Sequence, residues 1–311
     1  MKNKLSFDEF YYNIYQERWN QLKDALLSNT HVQISYINNF ADSQKYLNHT
    51  DQINDLLPNC ILSKPQEEIP RSPNGLLDYY ILDPASVICA EMLMVKPGHK
   101  VLDVCAAPGG KSLILIQRLL SSENSDSEII LNELSKPRRE RLIKVIQQYI
   151  PKEVRSNLWV KGQEGALFCF KNQNKFDCIL LDAPCSGEKH LLANKKELEN
   201  WLPKRSEKLA QQQYSLLSGA LLALKQGGEM IYSTCSISNL ENDLVIEKLK
   251  KKKADQFDTA NKDDLYKILQ NFLTQSQISD WVEFTKYGIQ FLPDKCNFGP
   301  LYISKLYKKH D

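Results

Sequence analysis

Between residues 100 and 234 the chain alternates short apolar runs with longer stretches of helical period, and that alternation admits few folds. The apolar runs stand at 100–105, 128–131, 157–160, 176–181 and 229–233, with helical patterns at 111–120, 136–149 and 204–224. Runs that are apolar throughout predict strands buried on both faces. Separated by helices, such strands form a mostly parallel sheet covered on each side, an open α/β fold. Ligands of these sheets bind in the crevice at the carboxyl ends of the strands, so the residues following each run are the first candidates for function. A helix at 241–253 and a weakly patterned stretch at 256–279 come next. Runs at 281–284, 289–292 and 301–307 then predict strands that close the sheet as an antiparallel edge.

Upstream, residues 7–57 read as helical, with Phe10, Ile14, Trp19, Leu22, Leu26 and Leu27 near the 3.6-residue period, followed by a polar connector rich in Asn and Gln. Pro58, Pro65, Pro70 and Pro73 break regular structure, and an apolar helix at 85–95 ends at Lys96-Pro97-Gly98. Three regions are expected: an N-terminal helical accessory region (1–57), a proline-rich linker with a pre-catalytic helix (58–98), and a catalytic domain (99–311). A chain of 311 residues buries a core without staples. Its eight cysteines include no C-x-x-C pair and its five histidines are dispersed, so no metal site is expected, and a reducing compartment is. No run approaches the roughly 20 apolar residues of a membrane span, and residues 1–6 lack the apolar core of a secretory signal. A soluble, non-exported protein is expected. The formal net charge of +2 permits a nucleic-acid partner, because one face can be basic on a nearly neutral molecule.

The first strand runs into Val104-Cys105-Ala106-Ala107-Pro108-Gly109-Gly110-Lys111-Ser112. Such a small-residue turn opening a helix lets a ligand approach the backbone and meet helix N-terminal N–H groups. Gly110-Lys111-Ser112 imitates the end of a phosphate-binding loop, but Cys105 stands where that loop needs glycine and Pro108 intrudes. The G-x-G-x-x-G spacing of dinucleotide sites is absent too; a tight turn kept for packing is the plain alternative. Glu133, at the end of the second strand, is placed to accept from both hydroxyls of a ribose, and Glu164 is a candidate for an adenine amino group. The fourth strand ends in Asp182-Ala183-Pro184-Cys185-Ser186-Gly187 and the fifth in Ser233-Thr234-Cys235-Ser236. One cysteine at a strand end is commonly a small buried hydrophobe, whereas two at neighbouring ends, facing one crevice, point to thiolate chemistry.

Together these segments resemble the Sun-type (RsmB/NOP) RNA cytosine-C5 methyltransferases. The resemblance rests on Asp103-Val-Cys-Ala-Ala-Pro-Gly-Gly-Lys111, Asn132-Glu-Leu-Ser-Lys-Pro-Arg138, Asp182-Ala-Pro-Cys185 and Ser233-Thr-Cys235-Ser236, in order and spacing, and covers roughly residues 75–307. Residues 7–40 and 297–306 resemble the mitochondrial branch, which holds an rRNA and a tRNA enzyme, and Glu188-Lys189-His190 leans towards the rRNA member. What the resemblance implies is a Rossmann-like class I methyltransferase fold with S-adenosylmethionine as cofactor and RNA as substrate, rRNA ahead of tRNA. It further implies 5-methylcytosine as product, mitochondrial residence, and a helical-repeat protein partner of the kind the rRNA branch uses. Asp8 and Glu9 depart from an acid-poor transit peptide, which keeps the cytoplasm as the alternative location.

By the same resemblance Cys235 is the nucleophile, Cys185 the residue that assists release, Asp182 the group at the base edge, and Lys111 a positive charge near cofactor and base. Cys105, Ala106, Ala107, Pro108, Gly109, Gly110, Lys111, Glu133, Arg138, Glu164 and Asp182 are the implied cofactor contacts. Glu133 and Glu164 stand where the family usually has Asp, and each added methylene has to be absorbed locally. Two thiols suit the chemistry, because C5 of cytosine becomes nucleophilic only after a thiolate adds at C6, and that bond must later break. Candidate RNA contacts are Arg138, Arg139, Arg141 and Lys144, then Lys195, Lys196, Lys204, Arg205 and Lys208; Lys250 to Lys253 read as a solvated helix face. The competing readings are a non-catalytic rRNA-binding assembly factor on the same fold and a DNA cytosine methyltransferase using the Pro-Cys thiol alone.

Overall fold

A computed structural model describes residues 5–28, 31–42, 57, 59–62, 68–120 and 126–310. Most of the Asn- and Gln-rich connector, with Pro58 and Pro65, lies outside the described residues. The first helix, α1 (Phe7–Tyr15), starts at a reciprocal capping box in which Ser6 Oγ accepts from Glu9 N at 3.2 Å and the Glu9 carboxylate accepts from Ser6 N at 2.8 Å. After α2 (Arg18–Leu27) the helical expectation for 7–57 fails. Strand β1 (Ile34–Ile37) pairs antiparallel with β2 (Cys60–Leu62) and β3 (Tyr79–Leu82) in a small sheet. All four β1 residues are buried, so the strand carries no alternation by which its sequence could be told from a short apolar helical stretch.

Helix α3 (Pro84–Glu91) is capped by Asp83, whose carboxylate accepts from Ala85 N at 2.9 Å. The alternating segment follows: β4 (Lys100–Asp103), α4 (Gly110–Leu120), β5 (Glu128–Asn132), α5 (Lys136–Tyr149), β6 (Leu158–Lys161), α6 (Gly165–Lys171) and β7 (Phe176–Asp182). Then come α7 (Glu188–Ala193), α8 (Lys195–Glu199), α9 (Lys204–Ala223), β8 (Leu224–Thr234) and α10 (Asp243–Lys253). The stretch that looked weakly patterned holds β9 (Phe257–Thr259), α11 (Lys262–Leu269) and α12 (Gln275–Trp281). Both helices begin at capping boxes, Asn261 with Asp264 and Thr274 with Gln277, so the signal lay in caps rather than in apolar period. The edge is made by β10 (Val282–Phe284), β11 (Ile289–Phe291) and β12 (Leu301–Lys308), with α13 (Pro293–Cys296) between the last two.

The large sheet runs β10-β11-β12-β8-β7-β4-β5-β6, with β9 also on β12. Strands β4 to β8 pair in parallel, and β9 to β12 supply the antiparallel edge. From β4 the chain moves out through β5 and β6, then returns to β7 on the other side of β4, which makes β4/β7 the switch point where a crevice opens. Along β7 the side chains divide between two cores, Cys178 and Leu180 with α4 on one face and Ile179 and Leu181 with α9 on the other. Ile34, Tyr36 and Cys60 of the small sheet bury into the first of these cores. A third cluster joins Phe7, Tyr11 and Trp19 of the N-terminal helices to Leu191, Trp201 and Ile237, the segments that follow β7 and β8.

Candidate active site

Strand β4 delivers a turn whose geometry is fixed from below by Asp103. Its carboxylate accepts from Ser112 Oγ at 2.7 Å and from Cys105 N at 3.3 Å, which ties the start of α4 to the end of the strand. Burial of that carboxyl pushes its pKa up to about 7, against the lowering effect of the Ser112 hydrogen bond. Gly109 has φ +121°, and a Cβ there would stand 3.1 Å from Leu142 and Val145 of α5, so both conformation and packing call for glycine. The turn from Cys105 to Lys111 lines a cleft of about 230 Å³ together with Tyr80, Leu82, Ser86, Asp103 and Asp182.

Asn132, at the end of β5, holds the neighbouring loops in place. Its Nδ2 donates to Val104 O at 3.1 Å and Gln163 O at 3.0 Å, and its carbonyl accepts from Ala106 N at 2.9 Å. Glu133 follows and is buried; one carboxylate oxygen accepts from Ser135 N at 2.8 Å. The other, Oε2, is buried without a hydrogen-bond partner, with Arg138 Nη1 at 3.5 Å, an ion-pair distance too long for a good hydrogen bond. Arg138 also donates through Nη2 to the Ala107 carbonyl at 2.6 Å, so it links the acid to the turn. A cofactor with a vicinal diol fits here, because it would bring O–H donors to the orphaned carboxylate oxygen.

On the other side of the switch point, Lys111 Nζ donates to Asp182 Oδ2 at 2.8 Å, and Ser233 Oγ donates to Asp182 Oδ1 at 2.8 Å. Burial opposes the charge on Lys111, but the adjacent Asp182 outweighs it and the lysine pKa is raised. The pair is a fixed cation and anion at the carboxyl end of β7. Beyond it Cys185 Sγ and Cys235 Sγ lie 2.9 Å apart, both thiols half-buried and free. The Cys185 pKa is raised by its hydrogen bond to Cys235, then by burial and by the negative charges of Glu188 and Glu241. Gly187, with φ +62°, turns the chain from Cys185 into α7, and a Cβ there would stand 4.0 Å from the Cys235 sulfur.

A model of the 16S rRNA methyltransferase RsmB/F family matches residues 90–307. The chain belongs to this family. Among its relatives, the 5-cytosine rRNA methyltransferase NSUN4 of Xenopus tropicalis is 34% identical over 244 residues, covering 75% of this chain and 57% of that protein. The mitochondrial tRNA (cytosine(34)-C(5))-methyltransferase of Danio rerio is 29% identical, over 97% of this chain and 86% of the relative. The chain thus spans little more than half the length of the NSUN4 sequences it matches. In fold it superposes on NSun6 from Pyrococcus horikoshii, solved with SFG, with a TM-score of 0.72 over 99% of this chain and 98% of the other at 19% identity. The fold is the Rossmann-like one of class I methyltransferases that the resemblance implied, built on the open α/β sheet that the strand and helix alternation predicted.

In this family member Lys111, Asp182, Cys185, Cys235 and the Cys105 to Lys111 turn come together at one crevice, with Glu133 and Arg138 beside the turn. Glu164 is not part of that group. Its two carboxylate oxygens accept from Ala166 N at 3.1 Å and Leu167 N at 2.7 Å, capping α6 at an exposed position. Arg139 donates to the Glu133 and Leu134 carbonyls, and Arg205 pairs with Glu197, so these two of the expected RNA contacts have partners within the protein. Arg141, Lys144, Lys195, Lys196, Lys204 and Lys208 are exposed. Lys250 stands over the Phe257 and Tyr287 rings and Lys251 pairs with Glu247, so these two lysines also have partners within the protein. Sequence reasoning missed Glu188 and Glu241, two fully buried carboxylates behind the thiols. Their only sequence signal was an acidic residue three positions after Cys185 and six after Cys235. Among the described residues no His, Cys, Asp and Glu group could hold a metal ion, and no helix is long and apolar enough to cross a membrane.

Proposed function

We propose that the chain transfers a methyl group from S-adenosylmethionine to C5 of a cytosine in RNA, by way of a covalent bond between Cys235 and C6. The observation that carries this reading is the thiol pair at 2.9 Å on the loops that follow β7 and β8, the strands whose ends also hold Asp182 and Ser233, with Lys111 and Asp182 lining the cleft of the glycine turn. The cofactor, when bound, supplies an electrophilic methyl group on a sulfonium centre. The chain's residues do the rest. The turn holds the cofactor against the backbone, and Glu133 accepts from its ribose. The Cys235 thiolate adds to C6, and the electron pair displaced from the C5–C6 bond makes C5 nucleophilic. Asp182, fixed by Lys111 and Ser233, faces the base edge that gains a proton in that addition. After methylation C5 loses its proton and the C6–S bond breaks, Cys185 assisting that release.

The base must be unpaired or flipped to reach the thiols, at a cost of a few kcal/mol that backbone contacts offset. Support for RNA as substrate comes from the names of the NSUN4 and mitochondrial tRNA relatives, and rRNA is favoured by the higher identity to NSUN4. Mitochondrial residence and a helical-repeat protein partner are the finer parts of the same reading; likeness to a mitochondrial tRNA enzyme supports the first. Bisulfite sequencing of RNA from cells with and without the protein tests the reading. A cytidine protected in the first and converted in the second is the expected result; unchanged protection across rRNA and tRNA would sink it and favour the non-catalytic assembly factor.

A further inference from the structure

Each cysteine of the pair is followed by a serine, and both serines bond to one buried carboxylate. Glu188 Oε1 accepts from Tyr11 OH at 2.6 Å, from Ser236 Oγ at 2.9 Å and from Ser186 Oγ, while Oε2 accepts from Ile237 N at 3.1 Å. Four donors thus converge on its two oxygens. Its donors come from three places that the fold assembles: helix α1, the loop after β7 and the loop after β8. Glu241 reinforces the arrangement from the turn before α10, accepting from Ser186 N at 2.9 Å and Gln213 Nε2 at 2.8 Å. We propose that Glu188 is a positioning residue for the thiol pair, setting the Cys185 and Cys235 loops against each other and, through Tyr11, making the N-terminal helices part of the catalytic centre. The inference deepens the proposed reaction and rests on the thiols being its reacting groups.

Charge follows from the same geometry. The groups facing the thiols are Glu188 from α7, Glu241 before α10, Tyr232 from β8, and Lys111 with Asp182 across the crevice; Tyr11 and Tyr15 of α1 close the far side of Glu188. The hydrogen bond to Cys235 and burial act first on Cys185, and both glutamates then raise its pKa further. The ammonium of Lys111 interacts instead with Cys235. The negative charge of both glutamates therefore acts on Cys185, where it disfavours the thiolate.

Three variants separate position from charge: Glu188→Gln removes the charge at constant length, Glu188→Asp keeps it at shorter reach, and Tyr11→Phe removes one donor while keeping the buried ring. Iodoacetamide labelling followed by peptide mass spectrometry, as a function of pH, reads each thiol without RNA or cofactor. In Glu188→Gln the labelling midpoint of Cys185 is expected to fall by about one pH unit, because a negative charge beside it is gone. Glu188→Asp should leave that midpoint in place and lower kcat for RNA methylation about tenfold, with the KM for RNA held within about twofold, because a misplaced reacting group costs rate rather than binding. Tyr11→Phe should lower kcat in the same sense and by a smaller factor. A folded Glu188→Gln protein with wild-type labelling and wild-type kcat overturns the proposal, and so does an unaffected Tyr11→Phe if Glu188→Gln does not fold. Shifted labelling in a series where even the wild type methylates no RNA leaves the positioning role standing and removes the proposed reaction instead.

Discussion

At the residue scale, two carboxylates show how one side chain reports on a site in two ways. Glu133 keeps a buried oxygen without a hydrogen-bond donor, a costly state that a bound diol relieves. Glu133→Ala should weaken S-adenosylmethionine binding by about 1–3 kcal/mol in calorimetry; unchanged affinity in a folded variant would place the ribose elsewhere. Asp103 is instead satisfied by Ser112 and Cys105, and burial raises its pKa from 3.8 to about 7. Folding therefore favours its protonated form. Its contribution to stability is fully present below about pH 4 and is lost as pH rises towards 7, by a few kcal/mol at most. Urea unfolding between those pH values should show the loss in the ligand-free protein and a flatter profile in Asp103→Asn. Lys111, Asp182 and the two cysteines were legible because strand ends are legible, and an α/β sheet gathers its strand ends. Glu188 was not, since a buried carboxylate is recognised by its donors, here Ser186 nearby and Tyr11 and Ser236 brought to it from distant parts of the chain. Glu164 has its donors close by in sequence instead. A local demand, the open N–H groups of α6, takes both of its oxygens.

At the element scale, α5 carries two kinds of basic residue that sequence spacing presents as one group. Arg138 and Arg139 donate to the Ala107 and Glu133 carbonyls, whereas Arg141 and Lys144, farther along the helix, are exposed. If the exposed pair contacts phosphates, Arg141→Ala and Lys144→Ala should each reduce the slope of log affinity for RNA against log salt by about 0.7. Arg138→Ala should mainly weaken cofactor binding. Titrations at several salt concentrations separate the two, and an unchanged slope in the double variant Arg141→Ala/Lys144→Ala returns that face to solvent. The long elements from β4 to β8 were legible because each has a clear period or an unbroken apolar run. Strand β1 was hidden by its short length and two-sided burial, and α11 and α12 by their short apolar faces.

At the scale of the whole molecule, the expected accessory region and linker share apolar cores with the expected catalytic domain. Ile34, Tyr36 and Cys60 pack with Leu113 and Ile303, while Phe7, Tyr11 and Trp19 pack with Trp201 and Ile237 directly behind the thiol loops. The N-terminal segment thus shares apolar contacts with both the sheet and the elements that carry Cys185 and Cys235. The sheet, the switch point and that packing converge on one feature, two thiols held 2.9 Å apart on the loops after neighbouring strands. Trapping of the covalent bond to RNA tests whether they share the labour as proposed. With an RNA that the wild-type protein methylates, Cys185→Ala should accumulate a nuclease-sensitive, slow-migrating protein–RNA band on a denaturing gel. Cys235→Ala and the double variant should show no band and no methylation. A band from Cys235→Ala and none from Cys185→Ala would contradict the assignment and exchange the roles of the two thiols.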